Sequence, residues 1–65
     1  MWVEKEHSVE LNEVVMVKLN SQYENSENIV GIVVAPYFDS KTILDVGERL
    51  IYVDYQTTFF IWKNG

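Results

Sequence analysis

Apolar and polar residues alternate through "VELNEVVMVKL", residues 9–19. Val9, Leu11, Val15, Val17 and Leu19 share one parity, and Glu13 is its only exception. A period of two with this load of valine predicts a half-buried strand. The Asn12–Glu13 pair lies between two in-phase halves, so a bend or bulge is expected there. Residues 20–28, "NSQYENSEN", are polar and rich in asparagine and serine, which predicts a loop. "IVGIVVA", residues 29–35, is apolar on both parities and predicts a strand buried on both faces. Gly31 inside it predicts a sharp bend or a close backbone approach. Pro36 has no N–H to give a ladder, so it should end that strand or sit on an edge, and "YFDSK" then reads as a turn. "TILDV" (42–46), "RLIYVDY" (49–55) and "TTFFIWK" (57–63) read as three more short strands, with a turn at Val46–Gly47–Glu48. "WVEK" near the N-terminus is a candidate for a further one. A sustained i, i+3, i+4 stripe is missing, and β-branched residues crowd every apolar segment, which argues against helices. The prediction is one all-β domain over residues 1–65, a small SH3-like barrel of about five short strands.

Composition adds a surface to this picture. A 65-residue chain buries only about 60% of the area its unfolded form exposes. Yet 48% of the residues are hydrophobic and 14% aromatic, and no cysteine is available to staple the fold. Some apolar side chains must therefore meet a partner or another copy, and a homo-oligomer is expected. The segment "TTFFIWK" is the expected contact, with Phe59, Phe60 and Trp62 as its interface residues. Phe59 and Phe60 must face opposite sides of a strand, so one of them should meet a partner or a second layer.

Charge narrows the partners. Ten acidic residues against five basic ones give a net charge of -5, and the cations are scattered singly. Nucleic-acid binders carry a basic footprint, so direct binding of duplex nucleic acid or of an anionic membrane is not expected. Acids concentrate in the first 28 residues, at Glu4, Glu6, Glu10, Glu13, Glu24 and Glu27. Glu10, Glu13, Glu24 and Glu27 flanking Tyr23 would form an acidic rim around an aromatic anchor, suited to a protein partner with a basic surface. The opening "MWVEKEHSVE" lacks the apolar core of a signal peptide, and the longest apolar run is too short for a membrane helix, so a cytoplasmic location is expected.

Candidate chemistry is sparse. His7 is the one histidine, and Ser8 beside it would point to the opposite face of a strand, so the two do not make a catalytic pair. Glu4, Glu6 and Glu10 share a parity but lack the Gly- and Asp-bearing loop of a calcium site; a solvated acidic edge is the simpler reading. "DSKT" at 39–42 lacks the glycines of a phosphate loop. The nine aromatics lack the neighbouring cations of a stacking platform for single strands, and core or interface roles suit them better. No enzyme activity, cofactor or metal is expected.

"GIVVA" followed by "DVGERLIYVDYQTTF" resembles the barrel core of the ten-kilodalton co-chaperonins. Gly31, Val33, Val34, Ala35, Val46, Gly47, Ile51, Tyr52, Tyr55 and Thr57 match that family's run, and Glu48 stands where the family prefers Asp. "LNEVVMVKL" is similar to its first strand. The resemblance covers residues 9–19 and 31–57 and implies a truncated co-chaperonin-like barrel. Residues 20–28 are too short for the family's mobile loop. "VMVKL", "GIVV" and "FDSKTILDV" are also similar to an Sm-type small barrel. Function is therefore expected in the class of small acidic protein-interaction modules, such as an inhibitor of a host protein carried by a phage or other mobile element. The alternatives are an oligomeric barrel that binds a nucleotide or other ligand, and a minimal co-chaperonin-like protein.

Overall fold

The computed structural model describes residues 1–19 and 27–65. Six strands follow in chain order: β1 (Trp2–Glu4), β2 (Val14–Leu19), β3 (Glu27–Phe38), β4 (Lys41–Asp45), β5 (Leu50–Asp54) and β6 (Phe59–Trp62). All pair antiparallel in one barrel-like sheet of order β1-β6-β2-β3-β4-β5, with β1 and β5 at its edges. The fold is all-β, with six strands rather than about five, because the N-terminal "WVE" joins as an edge against β6.

The predicted strand over 9–19 is shorter than its alternation suggested. Asn12 adopts a φ of 69°, and the Glu13 N–H donates to the Glu10 carbonyl at 3.1 Å, so the chain turns before β2 begins. Val9 still reaches the core, but Leu11 is left 60% exposed instead of facing inward. The turn is tied to β3 in place of a ladder: Asn12 N–H donates to the Val33 carbonyl, and Val33 N–H donates to that of Glu13.

β3 corrects a second expectation. It is buried on one face only. Gly31 and Val33 are buried, while Val30, Ile32 and Val34 on the other parity are 47%, 44% and 40% exposed. The strand also runs through Pro36 rather than ending there. It can do so because β2 pairs only as far as Ile32, and the β3–β4 register shifts between Val33 and Ala35 and again before Phe38. At this irregularity the buried Thr42 hydroxyl donates to the Pro36 carbonyl at 2.8 Å. Asp39 and Ser40, with φ of 50° and 66°, then close a tight hairpin into β4. Positive φ at both central residues is the twist-matched geometry for two-residue hairpin loops.

The inward face supplies the core. Val9, Val15, Val17, Val33, Leu44, Val53 and Phe59 cluster, with Ile29, Val46, Ile51 and Ile61 packed against them. Gly31 faces Val15 in the ladder, and a Cβ there would lie 2.9 Å from the Asp45 carbonyl oxygen. The close approach expected of Gly31 is therefore its role. Between β5 and β6, Asp54 caps the turn: its carboxylate accepts from Gln56 N–H at 2.8 Å, and its carbonyl from Thr57 N–H at 2.9 Å. An Asp-capped turn needs no glycine, which is why this boundary left little trace in the sequence. No helix among the described residues is long and apolar enough to cross a membrane.

Candidate interaction surface

Strand alternation sends one residue of each pair to the outside of the sheet, and here those positions are largely apolar. The ladder register joins them into rows. Phe60 of β6 faces Met16 of β2, which faces Val30 of β3. Val14 faces Ile32, Ile32 faces Asp45, and Asp45 faces Leu50. Ala35, Ile43 and Tyr52 make a third row across β3, β4 and β5. At the β1–β6 edge, Trp2 meets Trp62 edge-to-face, with ring centroids 5.5 Å apart. Val14, Leu50, Tyr52 and Trp62 are 50%, 49%, 60% and 56% exposed. Such a face costs solubility unless something covers it.

Charge on this face is thin. Lys18 lies at one end of β2, its ammonium 5.1 Å from the centre of the Phe60 ring. Asp45 lies diagonally opposite, beside Ile32, with one carboxylate oxygen accepting the Gly47 N–H at 2.9 Å. Val30 sits between these two charges in the register.

The residues expected at an interface separate here. Phe60 and Trp62 belong to the outer face, half-buried and exposed respectively. Phe59 does not: it is only 7% exposed and part of the core, because its parity is that of Ile61 and Val17. The acidic rim is not assembled among the described residues. Glu13 is partly buried and ion-paired to Lys5 at 2.9 Å, and its carboxylate accepts the Glu10 N–H at 3.0 Å. Glu10 is exposed beside it. Glu27 pairs with Leu19 at the far end of the β2–β3 ladder, about 17 Å along the strand at ~3.4 Å per residue. Tyr23 and Glu24 lie outside the described residues. Val14, Val30, Ile32, Leu50 and Tyr52 were missed as surface residues; for Val30 and Ile32 the double apolar parity of "IVGIVVA" was the signal, since it marked an uncovered outer face and not a second buried one.

A second feature is a half-open cleft of about 410 Å³ where the β1–β2 loop meets the β5–β6 connection. Thr42, Phe59 and Val9 contribute to its floor, and Tyr37 and Tyr55 stand beside it edge-to-face at 5.1 Å. His7 is exposed at its rim. Among the described residues no three His, Cys, Asp or Glu side chains gather as metal ligands would. The chain matches no family model, no curated protein and no solved structure.

Proposed function

We propose that this protein is a non-enzymatic protein-interaction module that makes its contacts through the outer face of the sheet. The observation that carries this reading is the apolar character of that face: Val14, Val30, Ile32, Leu50, Tyr52 and Trp62, on β2, β3, β5 and β6, are all 44–60% exposed. Apolar side chains at these positions add nothing to the core, whereas burying them against a partner gains about 25 cal/mol per Å² of apolar surface. The net charge of -5 suits a partner with a basic surface, through faster encounter rather than tighter hold. A module of this size and chemistry fits the role of an inhibitor acting in the cytoplasm. The test is affinity capture from cells of the source organism with the wild type and a Val30→Glu variant. The same protein should be retained by the wild type and lost from the variant. Retention of that protein at unchanged affinity by Val30→Glu overturns the reading.

The cleft favours a second reading, a barrel that binds a small ligand. Its volume lies in the range of small-molecule sites, and the Tyr37–Tyr55 pair offers a ring a stacking partner. Titration with nucleotides, followed by NMR, should move Tyr37 and Tyr55 resonances if this is the function, and leave them still if it is not. The co-chaperonin-like reading is supported by the "GIVVA" and "DVGERLIY" segments and predicts retention of the protein by a chaperonin ring.

A further inference from the structure

We infer that the occupant of the outer face is a second copy of this chain, packed on β6, β2 and β3 about a two-fold axis through Val30. The inference rests on the reading above that the outer face makes the protein's contacts, and assigns that face to a second copy rather than to a basic partner. Three observations carry it.

The first is exposure. On β6, β2 and β3 the outward Val14, Val30, Ile32, Val34 and Trp62 are 40–56% exposed, an apolar patch of the size that marks interaction sites on small proteins.

The second is charge. Two chains of net charge -5 repel, so they can join only where the acids are not. On the outer face of β6, β2 and β3 the single charged side chain is Lys18, and Asp45 of β4 borders it. No other combination of strands offers so neutral a surface: β4 and β5 present Lys41 and Asp54, and β1 presents Glu4.

The third is self-complementarity. A two-fold interface must match itself, so each charge needs its opposite at the symmetry-related position. Lys18 stands two residues beyond Met16 on β2. Ile32, the neighbour of Asp45, stands two residues from Val30 in the opposite direction on β3. Val30 is thus midway between Lys18 and Asp45. A two-fold axis lying in the interface, through Val30 and at right angles to the line joining these charges, sets each Lys18 against the Asp45 of the other copy. The strands of the two sheets then cross steeply, as in orthogonal sheet packing.

Sedimentation equilibrium over a range from low to high micromolar protein tests this. The wild type should dimerise. Ile32→Glu, at a position already 44% exposed and so compatible with folding, should be monomeric. Lys18→Glu should weaken the dimer about tenfold or more by placing like charges together. An equimolar mixture of Lys18→Glu and Asp45→Lys should form a heterodimer more tightly than either variant forms its own dimer. Circular dichroism melts establish that each variant is folded. A dimer indifferent to Ile32→Glu, or a mixture with no preference for the heterodimer, overturns the inference. So does a wild type that stays monomeric throughout; in that case, loss of a different captured protein by Val30→Glu shows that the interaction reading stands while the second copy is wrong.

Discussion

Two buried residues show how single positions shape this sheet. The Thr42 hydroxyl, 1% exposed, is the donor to the Pro36 carbonyl across the shifted β3–β4 register. Thr42→Val keeps the shape but leaves that carbonyl without a partner, and should cost about 1–3 kcal/mol in urea unfolding, while Thr42→Ser should retain the hydrogen bond. An unchanged midpoint for Thr42→Val would show that another donor reaches Pro36. Gly31 is constrained by space. Its missing Cβ would meet the Asp45 carbonyl oxygen at 2.9 Å and a Val46 methyl at 3.0 Å, and backbone cannot swing aside as a flexible side chain can. Gly31→Ala should therefore destabilise by roughly 1–3 kcal/mol, the usual cost of overpacking. A gain in stability instead, as expected where a strand glycine has open space, would refute the close-approach account.

At the scale of elements, the β3–β4 hairpin carries the register of the longest strand, yet its turn residues are not the ones the geometry favours. Asp39 and Ser40 both adopt positive φ, and Asn-Gly is the preferred pair for that turn. The double substitution Asp39→Asn and Ser40→Gly should raise the melting midpoint, since the glycine relieves backbone strain and, among the described residues, the side-chain bond at stake is a long one, 3.5 Å, between the Ser40 and Tyr37 hydroxyls. A lower midpoint would mean that the Tyr37–Ser40 contact matters more than the turn. β1 depends on a different device. Lys5 follows it directly, donates its N–H to the Phe59 carbonyl at 2.8 Å and ion-pairs with Glu13 ahead of β2. The edge strand is thereby fastened at its C-terminal end, and at its other end the Met1 carbonyl accepts the Lys63 N–H at 2.8 Å.

For the whole molecule, stability is narrow. At ~0.05–0.15 kcal/mol per residue, a chain of this length holds only about 3–10 kcal/mol against unfolding. Leu44 is fully buried between β3 and β5, and Leu44→Ala should remove about 2–5 kcal/mol, enough to leave the isolated domain largely unfolded at moderate temperature. A variant that melts within a few degrees of the wild type would place the core elsewhere. If the outer face is covered by a second copy, mass action couples assembly to folding. The melting midpoint of the wild type should then rise with protein concentration, and that of Ile32→Glu should not. Differential scanning calorimetry at two concentrations decides this, and a midpoint independent of concentration for both proteins speaks against the dimer.

The sequence by itself determined the all-β class, the turns at residues 46–48 and near Asn12, and the tight approach at Gly31. Each is a local matter: side-chain parity, positive φ and the absence of a Cβ act within a few residues. It also indicated that apolar surface would remain exposed, because that follows from composition and length alone. What it left open was which side. Phe59 and Phe60 are chemically alike, and only the pairing of β6 between β1 and β2 decided that Phe59 enters the core and Phe60 faces out. The same holds for "IVGIVVA", whose two parities are equally apolar: a barrel-like sheet has one interior, and the curl that put Val33 inside left Val30 and Ile32 outside. Glu13 and Glu27, expected to share one rim, were separated for the same reason. Glu13 turned to Lys5 and Glu27 lies at the other end of the ladder, since residues close in sequence are carried apart when a strand extends between them. Tertiary structure thus decided the faces, because a period of two specifies that neighbours differ in direction and not which direction is the core.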